Sequence, residues 1–288
     1  MLRRTLTALL LIPPVVYLIG WSPKWLFILA VVVAVVLALR EYLALCRATG
    51  FSAMAGVGYV GAVSLCLPYA LPETVDGLVV VPMLGGVFLL LIPTLALRHG
   101  VELKDYLGAV AVTLFGIFYI GVGLSCLVAI RFSPLSFDSG QAPLRGSYQL
   151  PPGAQEILLL FMVIWAGDIC AYLVGRSIGR TPFFARISPK KTWEGAVGGF
   201  LGSLLVAWAF GHWFWSGADL RTVILVGAWI AVAGQAGDLV ESAIKRGANQ
   251  KDSGTLLPGH GGFLDRIDSL LFGAPALWLA LLAFGNLS

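Results

Sequence analysis

Charge is what this sequence lacks most. Of its 288 residues only 12% are Asp, Glu, Lys or Arg, where a soluble domain carries about 25%. A chain so poor in charge cannot cover a soluble surface. With 58% apolar residues and a mean hydropathy of +0.89, it reads as an all-α, polytopic integral membrane protein. Cysteine is scarce as well. Cys46, Cys66, Cys126 and Cys170 sit in or beside apolar runs without metal-ligand spacing, so they read as small buried side chains. No Walker loop, dinucleotide fingerprint or nucleophile elbow occurs. No polar stretch is long enough for a soluble domain, and no nucleic-acid partner is expected.

What is present is oil in pieces of membrane length. A bilayer core of about 30 Å needs roughly 20 apolar residues per helix. Nine pieces meet this, at 5–21, 25–46, 55–71, 78–97, 107–130, 154–174, 195–216, 221–243 and 264–286, the third being short. The opening "MLRRTLTALLLIPPVVYLIGW" has a basic start and an apolar run but no small-x-small cleavage site. It reads as a retained first span. With nine spans and a cytoplasmic N-terminus, 15 of the 19 Lys and Arg face the cytoplasm; only Lys24, Arg131, Arg145 and Arg221 face outward. The expectation is one membrane domain over 1–288, with N-terminal helices in 1–130 and the chemistry in 154–288. Gly195 and Gly199, with Gly198 and Gly202, form overlapping small-xxx-small patterns in the seventh span, suited to close helix packing.

The charge that does occur is concentrated. The stretch "GDLVESAIKRGANQKDSGTLLPGHGGFLDRIDSLLFG" holds Asp238, Glu241, Asp252, Asp265 and Asp268 among Lys245, Arg246, Lys251 and Arg266. A further acid, Asp168, interrupts the sixth span. Acids in membrane spans are costly and mark candidate functional sites. Asp238, Glu241, Ser242 and Lys245 share one helical face, and Asp265 and Asp268 share another. Carboxylates brought together repel unless a cation lies between them, and hard oxygen ligands suit Mg²⁺. The alternative is that these acids form buried salt bridges with Lys245, Arg246 or Arg266. Asp252, in a loop, is also readable as a plain turn residue.

Opposite charge gathers in "GRSIGRTPFFARISPKKTWEGAVGG". Ser188, or else Thr192, is a candidate N-cap for the seventh helix, which then opens with Lys190 and Lys191 beside its free N–H groups. That arrangement is an anion site, although topology or lipid headgroups would also explain such a loop. Gly259, Gly261 and Gly262 let backbone approach a ligand closely. His260, among them, is readable as a general base, a phosphate donor or a turn residue. Carboxylates for a divalent metal and bases for phosphates are what phosphoryl or nucleotidyl transfer requires. A CTP-dependent polyprenol or lipid kinase would use similar parts. An ion-coupled transporter is the reading from another class, with Asp168 and Asp238 as its cation path.

From Ser242 to Asp268, "SAIKRGANQKDSGTLLPGHGGFLDRID" resembles the signature of the phosphatidate cytidylyltransferase (CDP-diacylglycerol synthase) family. The pieces "WAGDICAYLVGRSIGR", "SPKKTWEG" and "GDLVES" are similar to it too, so the likeness covers the C-terminal part of the chain. The resemblance implies formation of CDP-diacylglycerol and pyrophosphate from CTP and phosphatidate. It also implies Mg²⁺ with room for a second cation, a homodimer and a cytoplasm-facing site. A compact chain without long tails suggests a bacterial inner membrane. In the terms of the resemblance Asp238, Asp265 and Asp268 surround the metal, and Lys245 and Arg246 join them as catalytic groups. Asp168, Ser188, Lys190, Lys191, Thr192, Ser242, Lys251, Asp252, His260, Gly261, Gly262 and Arg266 are then the candidates to bind substrate.

Overall fold

The computed structural model describes residues 13–70, 77–98, 101–133, 135–137, 150, 153–215, 218–256 and 261–287. Helix dominates, as it must where no water can satisfy backbone N–H and C=O groups. In chain order the helices are α1 (13–20), α2 (Lys24–Ala48), α3 (Ala55–Ser64), α4 (Gly77–Arg98), α5 (Tyr106–Phe132), α6 (Ala154–Ile178), α7 (Trp193–Trp213), α8 (Leu220–Gly247) and α9 (Leu264–Phe284). Within α5 the run Ile117–Val122 is π-helical.

Seven of these helices, α2 and α4 to α9, are long and apolar enough to cross a membrane. Of the expected first span, 5–21, residues 5–12 lie outside the described residues and 13–20 form α1. The third is shorter than expected. Ala55–Ser64 has ten residues, about 15 Å of helix, and a 3₁₀ turn at Pro68–Ala70 follows it. Glycine at three of its first seven positions, 56, 58 and 61, with Pro68 beyond, leaves little to prolong it.

The chain divides into two compact units. The first contains Pro23–Ala129 and Ala243–Ile267. There α2, α3 and α5 pack closely because small residues meet large ones. A Cβ at Gly116 would stand 2.7 Å from the Tyr42 ring, and one at Gly121 would stand 2.9 Å from Ala62. The Tyr42 hydroxyl donates to Val112 O at 2.8 Å, which satisfies a polar group on a buried face. Leu65, Phe88, Ile92, Ala96, Val110 and Ile117 form a core between α4, α5 and the end of α3. Met83, Val87, Leu90 and Leu97 of α4 remain exposed, as side chains facing lipid do.

The second unit contains Ile130–Ser242 and Asp268 onward, together with α1. Its centre is the α6–α7 pair. Gly167, Ala171 and Gly175 recur every fourth residue on α6, and Gly195, Gly199 and Ser203 do so on α7. A Cβ at Gly199 would stand 2.8 Å from Gly167 O, so the helices touch backbone to backbone. The Ser203 hydroxyl adds a bond to Val163 O at 2.8 Å. The expected packing role of the α7 glycines holds. Asp219 caps α8: its Oδ2 accepts from the Thr222 hydroxyl at 2.9 Å and the Thr222 N–H at 3.0 Å. These bonds hold its carboxyl below the usual carboxylate range. Leu135–Ser136 pairs antiparallel with Asn286–Leu287.

Candidate active site

The residues singled out by sequence fall into two groups, one in each unit. In the second unit, α6, the 179–192 loop, α8 and the start of α9 enclose a cavity of about 660 Å³. Asp168, Ser188, Lys190, Lys191, Thr192 and Asp238 all line it. The loop is held by short bonds. Phe183 N donates to Lys191 O at 2.7 Å, and Trp193 N donates to Thr181 O at 2.9 Å. The Glu194 carboxylate accepts from Arg180 N at 3.1 Å and from the Thr181 hydroxyl at 2.9 Å. Edge-on stacking of Phe183 on Trp193, 4.5 Å between centroids, closes the turn.

This bonding corrects the expected start of α7. The two lysines precede the helix and do not open it. Backbone pairing of Pro182 with Thr192 keeps the chain extended to Thr192. Thr192 is therefore the N-cap, and its hydroxyl accepts from Gly195 N at 3.1 Å. Ser188 lies a turn earlier, inside the loop. Lys191 is aimed across the cavity, where its ammonium pairs with the Asp238 carboxylate. Ser242, one turn along α8, donates to Asp238 at 3.4 Å. Asp238 and Lys191 are each about a third exposed, open to an incoming ligand. Gly237 explains how α9 comes so near α8, since a Cβ there would stand 2.5 Å from Asp268 O. Ser269 lines the cavity, and its N–H donates to Asp268 Oδ1 at 2.7 Å.

The second group lies in the first unit. Lys245 Nζ meets Asp265 Oδ1 at 2.5 Å, and the two side chains are only 12% and 10% exposed. Asp265 Oδ2 accepts from Gly262 N at 2.8 Å and Ser253 N at 3.0 Å. The salt-bridge alternative weighed for the acids is thus realised here. Gly261 has φ +79°, a conformation only glycine adopts without strain, and this turns the chain into Gly262. Arg246, Lys251, Asp252 and Arg266 are exposed, and Arg246 donates to Gln250 O at 3.1 Å. His260 lies outside the described residues. Glu241 is fully buried.

Sequence reading missed Glu41. It stands in the apolar run of α2, 7% exposed, and accepts from Ser253 Oγ, Phe263 N and Leu264 N at 2.8–3.0 Å. The rule that flagged Asp168, that an acid within a span is costly, applies equally to Glu41. Gln235 was missed too. It lines the cavity and donates to Ala196 O at 3.0 Å, with nothing in its spacing to mark it.

Among the described residues no three His, Cys, Asp or Glu side chains converge as a ready metal site. Asp168 and Asp238 do line one cavity. Two carboxylates, with water and phosphate oxygens completing the shell, are what Mg²⁺ takes, so the cavity fits that ion. Asp265 fits less well: its oxygens, like those of Asp238, already have partners, and its side chain is only 10% exposed against 29% for Asp238.

The family model described as "Cytidylyltransferase family" matches residues 2–284. The chain belongs to this family. Its relatives include a phosphatidate cytidylyltransferase of Synechocystis sp., 36% identical over 88% of this chain and 87% of that protein. Another, from Staphylococcus haemolyticus, is 32% identical over 97% of this chain and 98% of that protein. The chloroplastic phosphatidate cytidylyltransferase 5 of Arabidopsis thaliana is 34% identical over 86% of this chain and 64% of its own.

Proposed function

We infer that the chain transfers the cytidylyl group of CTP to phosphatidate, releasing pyrophosphate and forming CDP-diacylglycerol for phospholipid synthesis. One observation carries the reading beyond family membership. The basic loop Ser188–Thr192 and the carboxylates Asp168 and Asp238 line a single cavity. Cations for a triphosphate and acids for its counter-ion are thereby within reach of one bound nucleotide.

A phosphate oxygen of phosphatidate attacks the α-phosphorus of CTP in line. The new P–O bond forms as the bond to the β-phosphate bridge breaks, and pyrophosphate leaves. No covalent enzyme intermediate is needed, because the deprotonated phosphate is an adequate nucleophile. Lys190 and Lys191 bind the triphosphate, with Ser188 and Thr192 beside them. For Lys191 an incoming triphosphate is a second anionic partner besides Asp238. Lys245 and Arg246 are proposed to balance charge on the reacting phosphates. Mg²⁺, held on the motif's reading by Asp238 with Asp265 and Asp268, would neutralise phosphate charge and polarise the α-phosphorus. For Asp265 that role requires Lys245 to leave Oδ1.

We also propose nine spans with the N-terminus in the cytoplasm, the cavity loop on the cytoplasmic side and the bacterial inner membrane as location. What supports the span count and the orientation is charge. If α3 does not cross, the Lys and Arg divide 12 against 7 in place of 15 against 4. The Lys190–Lys191 loop falls on the charge-rich side under either count. A homodimer follows from the resemblance alone, and the molecular mass in mild detergent tests it.

The deciding assay incubates purified protein with phosphatidate, Mg²⁺ and CTP labelled in cytosine. Label should appear in lipid, with one pyrophosphate released per lipid labelled. Labelled CDP with unlabelled phospholipid product would overturn the reading.

A further inference from the structure

Glu41 belongs to none of the roles above, yet its setting in the first unit is built. A carboxylate inside an apolar helix loses its hydration, and only specific donors compensate for that. Glu41 has three. Its Oε2 accepts from Ser253 Oγ at 2.9 Å and Leu264 N at 2.8 Å, and its Oε1 accepts from Phe263 N at 3.0 Å. Two of the three are the free backbone N–H groups at the start of α9, where negative charge is favoured. The donors lie more than 200 residues from it in sequence.

Two glycines of the motif are shaped to this carboxylate. A Cβ at Gly254 would stand 2.5 Å from Glu41 Oε1, and one at Gly262 would stand 2.5 Å from Oε2. Ser253 then links Glu41 to the next acid. Its hydroxyl donates to Glu41 and accepts from Asp265 N at 3.3 Å, while its N–H donates to Asp265 Oδ2 at 3.0 Å. Asp265 is thereby oriented with Oδ1 toward Lys245. A Ser or Asp as local N-cap would have been enough merely to start a helix. A distant buried acid that also grips Ser253 fixes where the helix starts and which way Asp265 faces.

We propose that Glu41 is a positioning residue for cytidylyl transfer. It holds the Ser253 turn and the first turn of α9, so that Asp265 keeps its orientation, with Oδ2 on the Ser253 and Gly262 N–H groups and Oδ1 able to exchange Lys245 for another cation. The proposal rests on the reading that Asp265 and Lys245 act in the reaction. Displacing catalytic groups by about 1 Å can cost on the order of a hundredfold in rate, so loosening this anchor should lower turnover more than substrate affinity.

The test compares Glu41→Gln, Ser253→Ala and Asp265→Asn in the full-length protein, with rates counted per folded, inserted molecule. Glu41→Gln removes the charge and, whichever way the amide turns, sets an NH₂ donor against at least one N–H that must be accepted. It should lower kcat about tenfold or more and change KM for CTP less than threefold. Backbone hydrogen exchange over 261–266 should quicken while that over 193–213 stays as in the wild type. Should Glu41→Gln not insert, Ser253→Ala, which removes only the bridging hydroxyl, should show the same split with a smaller loss. Wild-type kcat per folded molecule, or a raised KM with kcat unchanged, overturns the positioning role. Near-normal activity of Asp265→Asn overturns instead the reading on which it rests.

Discussion

At the scale of the residue, both lysine–aspartate pairs put an ammonium on a carboxylate, but their surroundings differ. Lys245 and Asp265 are almost buried, so removing either leaves an uncompensated charge in a dry place. Lys191 and Asp238 are about a third exposed and line the cavity, so solvent screens their attraction and the lysine can change partners. Lys191→Met keeps the aliphatic stem and removes the charge. It should leave folding intact and raise KM for CTP about tenfold, close to 1.4 kcal/mol of lost binding. Steady-state kinetics with CTP varied reads this out; an unchanged KM would remove Lys191 from the nucleotide site. Spacing alone revealed the helical faces holding Asp238, Ser242 and Asp265, because helical period is a local property. It did not reveal that Lys191 pairs with Asp238, 47 residues away, because a long side chain's partner depends on what folding brings near.

At the scale of the element, glycine placement decides the α6–α7 contact. A Cβ at Gly199 would stand 2.8 Å from a backbone oxygen, Gly167 O, and 2.9 Å from Ala171 Cβ. Backbone on both helices leaves nowhere to yield. Gly199→Val should therefore destabilise the protein by about 2–3 kcal/mol, read as a lower melting temperature in detergent. Gly86→Ala in α4, where a Cβ meets nothing within 4 Å, should melt as the wild type does. Equal melting of the two variants would refute the close packing. The seven long helices were legible because a run of about 20 apolar residues has few other uses. The start of α7 was not, since Ser188 and Thr192 both suit an N-cap and only loop pairing with Thr181 and Pro182 selects Thr192. Nor was the brevity of α3, whose hydropathy continues past the point where its helix stops.

At the scale of the whole molecule, topology is the open consequence of the charge count. A tag on the N-terminus should be reached by protease only in inside-out vesicles, because nine spans place it in the cytoplasm. Access from the outer face would mean that α3 does not cross, and would reverse α1 to α3 while keeping the Lys190–Lys191 loop inside. Composition and the segment from Ser242 to Asp268 determined, by themselves, the membrane class, the helical architecture and the family. Those depend on hydropathy, on helical period and on a run of motif residues, all of which are written locally in the chain. Only the tertiary structure decided that Glu41 anchors the start of α9, that Asp265 has Lys245 and two N–H groups on its oxygens, and that Asp168 and the Ser188–Thr192 loop share one cavity with Asp238. A buried carboxylate must find its donors wherever the fold supplies them, and no local pattern in the sequence records which those are.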